Sequence, residues 1–159
     1  MTALCYPRIG SRYEYTLGGG VSYRLGIKED FGAMGINIES YYYFVDQFRA
    51  GLDLHYYLVD FDFSPSAIEV NLNTGLTLIE NRYLALLGLA GFQFIWIDYD
   101  WDNEVFGNDR HYGLGLNLGA NVEYDIDFFK IFVEPKMTLY AVNEFRITPS
   151  FTFGVRYFF

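Results

Sequence analysis

Few residues in this sequence of 159 combine the types and spacing that chemistry requires, and the clearest pair is Asp53 and His55. A carboxylate two residues from an imidazole can act as an acid–base pair when both side chains lie on the same face of a strand. The same spacing also suits a histidine that fills a polar interior without reacting. We favour this second interpretation, because no further catalytic group accompanies the pair.

The acidic segment that begins at Asp98 partly matches a calcium-binding loop. Asp98, Asp100 and Asp102 alternate, and Asp109 stands at the twelfth position, as in loops that bind Ca²⁺ through carboxylate oxygens. The match fails at the sixth position, where Asn103 replaces glycine, and at the twelfth, where Asp replaces Glu. We therefore interpret the segment as a solvated acidic loop, with calcium binding as the alternative, and predict no metal and no cofactor.

Charge and composition narrow the class of protein. The chain has 11 Lys and Arg against 20 Asp and Glu, a formal charge of −9, which argues against a nucleic-acid-binding protein. The 15 Tyr, 16 Phe and 16 Gly suit strands with tightly packed positions better than helices. The single cysteine allows no internal disulfide. No run reaches about 18 uninterrupted apolar residues, so no transmembrane helix is predicted.

Alternation of apolar and other residues recurs along the chain and predicts eight strands. Each is about 11–15 residues long, whereas a membrane-spanning strand needs about 9–11. The connections after strands 2, 4 and 6 are tight, and those after strands 1, 3, 5 and 7 are longer, an asymmetry typical of outer-membrane barrels. The predicted strands are 13–25, 34–44, 48–58, 68–78, 83–97, 112–124, 130–140 and 150–159.

The two faces of these strands differ in a way that assigns inside and outside. One face is apolar with aromatic residues near the strand ends, and the other is rich in Gly, Asn and Thr. Glycine weakens a solvent-facing strand, but a narrow lumen needs small residues beside large ones. We therefore predict an all-β, eight-stranded antiparallel up-and-down transmembrane barrel, in preference to a soluble lipocalin-like barrel. Pro135 in strand 7 predicts a bulge or a missing ladder bond.

The predicted inward face carries charges of both signs. A charge confined in a narrow interior must be paired or hydrated, so we expect a closed, polar lumen in which opposite charges interlock. We expect charges on neighbouring strands to pair, and strand 3, which carries Arg49, Asp53 and His55 inward, to lie beside Glu39 and Glu69. The predicted lumen network consists of Glu14, Arg24, Glu39, Arg49, Asp53, His55, Glu69, Glu123, Lys130, Glu134, Lys136 and Arg156.

Strand 5 interrupts the pattern on the lipid face. Gly88 and Ala90 stand there among large residues and predict a shallow groove. Small residues at a membrane surface permit close contact with another chain, so the groove is a candidate site for a partner protein. The alternative is a dent filled by lipid, or a bulge that shifts the register.

The last seven residues, FGVRYFF, resemble the terminal assembly signal of bacterial outer-membrane β-barrels. Phe153, Val155, Tyr157 and Phe159 occupy its apolar, apolar, Tyr and Phe positions. The chain from about residue 13 resembles the small OmpX/OmpA-type eight-stranded barrels. The resemblance implies a bacterial outer-membrane location, contact with the lipid bilayer and lipopolysaccharide, and recognition of the terminal signal by the barrel-assembly machinery.

The same resemblance bears on function. Some eight-stranded barrels are lipid A esterases with a His-x-Ser pair, but Tyr57 stands two residues after His55 and Gly113 two after His111, so we predict no enzyme. We expect residues 1–12 to form an N-terminal periplasmic segment and residues 13–159 the barrel. A structural or interaction role is predicted, which includes an accessory subunit of a larger envelope complex in contact with another outer-membrane protein. The alternative is a transporter or narrow channel for small solutes or apolar molecules.

The terminal signal gives a first test. Deleting Phe159 is expected to reduce the amount of assembled protein in the outer membrane, because the last aromatic residue would be missing from the signal. Phe158→Ala is the control, since the signal leaves that position free. Immunoblots of outer-membrane fractions measure both, and an unchanged level after the deletion would contradict the signal.

Overall fold

The computed structural model describes residues 15–28, 31–45, 47–58, 65–99, 110–126, 128–142 and 144–159. These ranges form eight strands and contain no helix that is long and apolar enough to span a bilayer. The strands are β1 (Tyr15–Lys28), β2 (Phe31–Val45), β3 (Phe48–Leu58), β4 (Pro65–Glu80), β5 (Leu84–Tyr99), β6 (Arg110–Ile126), β7 (Phe129–Val142) and β8 (Glu144–Phe158).

Each strand pairs antiparallel with its sequence neighbours, and β8 pairs with β1 to close the barrel. The backbone N–H of Phe159 donates to the carbonyl oxygen of Tyr15 at 3.0 Å, which joins the two ends of the described chain. Closure leaves no strand edge unpaired, as a barrel in hydrocarbon requires. The predicted eight-stranded antiparallel up-and-down fold is confirmed.

The strands are staggered around the barrel. Tyr43 pairs with Arg49, and the pairs continue through β4 to β8 and β1 until Arg24 meets Ala33. One circuit thus returns to β2 ten residues from its start, at residue 33 instead of 43. A row of paired residues therefore climbs from the end with the tight turns towards the opposite end, called the loop end below.

The strands extend further at the loop end than predicted. Two residues separate β1 from β2, and one separates β7 from β8. The expectation of longer connections after strands 1 and 7 was therefore wrong, because alternating residues there continue the ladder. Six residues lie between β3 and β4, at 59–64, and ten between β5 and β6, at 100–109.

Pro135 interrupts one ladder without shifting it. Between β6 and β7, the pair Gly119 with Lys136 is followed by Val122 with Val133, so two pairs are missing while the register is unchanged. Proline has no N–H to donate. Of the two predicted outcomes, the structure has the missing bond instead of the bulge.

The wall separates apolar from polar residues. Ile38 is 59% exposed on the outer surface, whereas Arg49 and Arg156 are 0% exposed in the interior. Inward glycines make room for long lumen side chains. A Cβ at Gly154 would lie 2.7 Å from the Phe132 ring, closer than real Cβ contacts allow. The predicted assignment of inside and outside is therefore confirmed.

Aromatic residues cluster at both ends of the outer wall. At the tight-turn end, the ring centroids of Tyr15 and Tyr42 lie 4.8 Å apart, and Tyr157 contacts Phe159 edge to face at 5.0 Å. At the loop end, Trp96 stacks on Tyr112 at 6.4 Å. Two aromatic girdles around an apolar band are the pattern that the two interfaces of a bilayer favour.

The exposure of Ile38 gives a test of what the wall faces. Ile38→Arg is expected to lower the free energy of unfolding by about 2–4 kcal/mol, because the residue lies halfway along β2 and so near the middle of the bilayer. Ile38→Leu should change it little. Urea titration in lipid vesicles measures both. On a barrel surrounded by water, an exposed Arg would be nearly neutral, within about 0.5 kcal/mol.

Candidate functional site: the charge network of the lumen

A carboxylate on β6 binds three cations near the tight-turn end. The Glu123 Oε1 atom accepts from the guanidinium groups of Arg49 on β3 and Arg156 on β8. Its Oε2 atom accepts from Lys130 on β7 at 2.8 Å. All four side chains are buried. Glu123 therefore links three other strands across the lumen.

Aromatic rings and a second carboxylate hold the two arginines of this cluster. Arg156 Nε donates to Glu39 Oε1 at 2.6 Å, and its guanidinium carbon lies 4.4 Å from the centre of the Phe132 ring. Arg49 lies 4.3 Å from the ring centre of Tyr41. Such cation–π contacts stabilise a guanidinium that has lost its water.

A second cluster lies one step further towards the loop end. Lys136 Nζ is 3.2 Å from Glu134 Oε1 and 3.4 Å from Asp53 Oδ2. Asn121 Nδ2 donates to Glu134 at 2.7 Å, and Asn73 Nδ2 donates to Asp53 at 2.5 Å. One ammonium and two amides thus share the charge of two buried carboxylates.

Amide side chains lead from this cluster to another ion pair nearer the loop end. Asn117 Nδ2 donates to Asn71 Oδ1 at 2.8 Å, and Asn71 Nδ2 donates to Glu69 Oε1 at 2.7 Å. Glu69 in turn accepts from Arg24, whose second terminal nitrogen donates to Thr148 at 2.9 Å. Each of the five described lumen cations therefore contacts at least one carboxylate.

An apolar layer closes the lumen beyond Arg24 and Glu69, at the loop end. Its buried members pack together, and Ile97 packs against them. The sequence pattern did not predict this layer, although the inward Ile95 on strand 5 was a signal. Buried apolar side chains also occur elsewhere in the lumen, at Leu87, Leu89 and Phe132, but only at this end do the described residues form an apolar cluster. The members are Ala33, Tyr57, Ala67, Ile95 and Tyr140.

The structure changes the partner predicted for Arg49. On the neighbouring strands Tyr43 and Gly75 lie opposite Arg49, while its ion-pair partner is Glu123 across the lumen. Strand 3 does lie beside Glu39 and Glu69, which are opposite Asp53 and His55. The expectation that charges pair on neighbouring strands fails for Arg49, because its long side chain reaches the far wall of a narrow barrel.

Asp53 and His55 do not form an acid–base pair. Both are buried in the lumen, but Asp53 Oδ2 accepts from Asn73 and Lys136. The His55 ring stacks on Tyr57 at a centroid distance of 5.7 Å. Neither imidazole nitrogen has a hydrogen-bond partner within the described part of the chain.

Several predicted site residues lie outside the described structure. Glu14, Asp100, Asp102 and Asp109 fall outside the described residues, and Asp98 lies in β5 with its side chain undescribed. Where side chains are described, no group of three or more His, Cys, Asp or Glu residues is arranged to hold a metal ion.

The outer wall has a depression of about 1050 Å³ that extends from β4 across β8 to β1. Ala90 lines this depression, but Gly88 does not. The four residues of the predicted assembly signal also face outwards on the wall, on β8 and at its end. They are Phe153, Val155, Tyr157 and Phe159.

Solved structures share this architecture. Neisserial surface protein A aligns with a TM-score of 0.76 at 11% identity, over 92% of this chain and 97% of that one. Ail, the attachment invasion locus protein of Yersinia pestis, gives 0.68 at 16% identity, over 92% and 99%. The N-terminal β-barrel domain of Pseudomonas aeruginosa OprF gives 0.67 at 15% identity, over 92% and 98%. No protein-family model and no curated protein matches the sequence.

Fold and wall chemistry together define a transmembrane β-barrel of the bacterial outer-membrane class. The predicted resemblance to the small eight-stranded barrels is confirmed at the level of the fold. The similar structures of Ail and of Pseudomonas aeruginosa OprG are those of outer-membrane proteins, and the apolar wall gives this chain the surface that such a location requires.

The cluster around Glu123 predicts that substitutions of Glu123 and Glu134 differ in their effect on the free energy of unfolding. Glu123→Gln is expected to lower the unfolding free energy by about 3–5 kcal/mol, because it leaves buried cations without a full counter-charge. Glu134→Gln should cost less, since Lys136 keeps Asp53 as a partner. Adding Lys130→Met to Glu123→Gln should recover part of the loss. Urea titration in vesicles compares the three, and equal losses at both glutamates would contradict a special role for Glu123.

Proposed function

We propose that this chain is an integral, non-enzymatic barrel of the bacterial outer membrane that is closed to ions and has a structural or interaction role. The observation that carries the proposal is the series of buried clusters of ion pairs and amides that follow one another from Glu123 to Arg24, with an apolar layer at the loop end. Such a lumen cross-links the wall and leaves little space for solutes.

Two barriers in series support closure. At the tight-turn end, Glu123 and its three cations link β6 to β3, β7 and β8 across the lumen. At the loop end, Ile95 and Tyr57 belong to the packed, mainly apolar layer, which disfavours ions. An ion would therefore have to break a charge cluster and also cross this layer.

The surroundings of His55 support a non-enzymatic role. Its side chain is 1% exposed and covered by Tyr57, so a substrate in the membrane or in water could not reach it. Asp53, the nearest candidate for activating it, is bound to Asn73 and Lys136. General acid–base catalysis requires a group that contacts the substrate proton directly or through one water.

A narrow channel is the second candidate, and one observation favours it. Asn37 and His55 are opposite each other on β2 and β3, and their four side-chain polar atoms have no hydrogen-bond partner in the described residues. Buried polar atoms of this kind usually bind water. A small hydrated pocket inside the lumen could extend into a pathway if the apolar layer moved.

The proposal also covers partners. The apolar wall supports contact with the bilayer, and in the outer membrane the leaflet at the loop end would add contact with lipopolysaccharide. Tyr157 and Phe159 lie exposed on the outer face at the end of β8, where the barrel-assembly machinery could bind them. A role as accessory subunit would use the outer wall, because the lumen is filled.

Planar-bilayer recording tests closure. We expect the wild-type barrel to carry almost no current at neutral pH. Arg49→Ala and Ile95→Ser should each carry almost none either, because the first leaves the apolar layer intact and the second leaves the charge cluster intact. The double variant should conduct. Heat-modifiable gel migration confirms that each variant is folded. A wild-type barrel that conducts steadily would overturn the closed-barrel proposal and favour the channel.

A further inference from the structure

The depression in the outer wall follows a row of paired residues. Thr74 pairs with Ala90, Ala90 with Leu118, Leu118 with Met137, and Met137 with Pro149. All five residues line the depression. Thr74, Ala90 and Pro149 contribute small or short side chains to this row, and Leu118 and Met137 stand between Ala90 and Pro149 with 66% and 62% exposure. The flanking aromatic residues are Tyr23, Phe92 and Phe151.

The lining of the depression is almost entirely apolar. The Thr74 hydroxyl donates to the carbonyl oxygen of Ala90 at 3.0 Å, so it is already satisfied within the wall. Lys136 and Asn117 also border the depression, but their side chains are buried in the lumen, where they bind Asp53 and Asn71. An occupant of this groove would therefore be apolar.

The direction of the groove places it in one leaflet. Rows of paired residues climb towards the loop end as they pass from β4 to β8, as the ten-residue stagger requires. The groove thus rises from the Thr74 side to Pro149, towards the half of the wall that bears the longer connections. In outer-membrane barrels that half lies in the outer leaflet, and the groove is continuous with the apolar wall that contacts lipid there.

We propose that this groove, defined by Thr74, Ala90, Leu118, Met137 and Pro149, holds one acyl chain of a lipid A molecule from the outer leaflet. The inference rests on the proposed outer-membrane function. An empty groove would forfeit van der Waals contacts along its whole lining, and the bilayer core has no water to fill it. A chain of methylene groups supplies those contacts without requiring a hydrogen bond.

A second copy of the barrel fits this groove less well. In a two-fold dimer whose axis passes through the groove, depression would face depression and leave a void. A flexible chain of narrow cross-section can follow the groove along its rise. The structure therefore favours lipid over the protein partner that Gly88 and Ala90 first suggested.

Photocrosslinking in intact cells tests the occupant. Phe92, which lines the groove, is replaced by the photoreactive p-benzoylphenylalanine, which keeps an aromatic ring at that position. Phe94 is the matched control, because it lies two residues along the same face of β5 and does not line the groove. We expect illumination to give an adduct containing lipid A at position 92, and much less of it at position 94.

Filling the groove should remove that adduct. Adding Ala90→Leu and Thr74→Leu to the position-92 probe is expected to lower the lipid A adduct by about tenfold, the change that about 1.4 kcal/mol of lost contact gives. Ala50→Leu, on the outer face of β3 beside the groove, should leave the yield unchanged. Heat-modifiable migration verifies folding. If the leucine pair fails to assemble, Ala90→Val, which adds less volume, is used with the same expected direction.

Each other product would overturn the proposal. An adduct with phospholipid alone, with a second copy of the chain or with a different protein would assign another occupant. Equal yields at positions 92 and 94 would show that no chain is held in the groove. Cell fractionation distinguishes failure of the groove proposal from failure of the proposed function. A barrel absent from the outer membrane contradicts the function, whereas a barrel present there without the adduct contradicts only the groove.

Discussion

The constraint on which this structure depends is the width of an eight-stranded barrel, which is too small for its interior charges to be hydrated separately. Each ionised group inside must therefore find a counter-charge or an amide. Glu123 meets three cations, Lys136 meets two carboxylates, and Arg24 meets Glu69. The lumen is consequently a cross-link between strands that are far apart in the sequence.

The stagger of the strands decides which charges can meet. A row of hydrogen-bonded neighbours climbs ten residues along the barrel in one circuit. Two residues that face each other across the lumen at the same level therefore lie in different rows. Arg49 reaches Glu123 across the lumen for this reason. Gly75, opposite Arg49 on β4, gives this side chain room, since a Cβ there would lie 3.0 Å from its Cγ and Nε atoms. Register, glycine placement and ion pairing are therefore one coupled arrangement.

The wall and the lumen carry different consequences for function. In the proposed function the lumen contributes rigidity and closure, because it has a charge cluster at one end and an apolar layer around Tyr57 and Ile95 at the other. The outer wall has a groove with an apolar lining near Ala90. The proposed interaction role therefore uses the wall, and the apolar lining of the groove decides what kind of molecule can fill it.

The sequence by itself determined the number of strands, the face of each that meets lipid, and the identity of the inward charges. Those features follow from a period of two, which is a local property of extended backbone. The alternation of Ile36, Asn37, Ile38 and Glu39 is enough to assign four side chains. The short connections at the loop end were missed, because alternation does not show where a strand stops.

Only the tertiary structure decided which groups contact one another. The partners of Arg49 and Asp53, the isolation of His55 and the course of the groove depend on how eight strands are staggered when the barrel closes. That stagger sums the registers of all the strand pairs, and no local pattern specifies the sum. Long side chains then cross the lumen to partners on strands that are distant in the sequence. For this reason the central position of Glu123 in the network is visible only in the closed barrel.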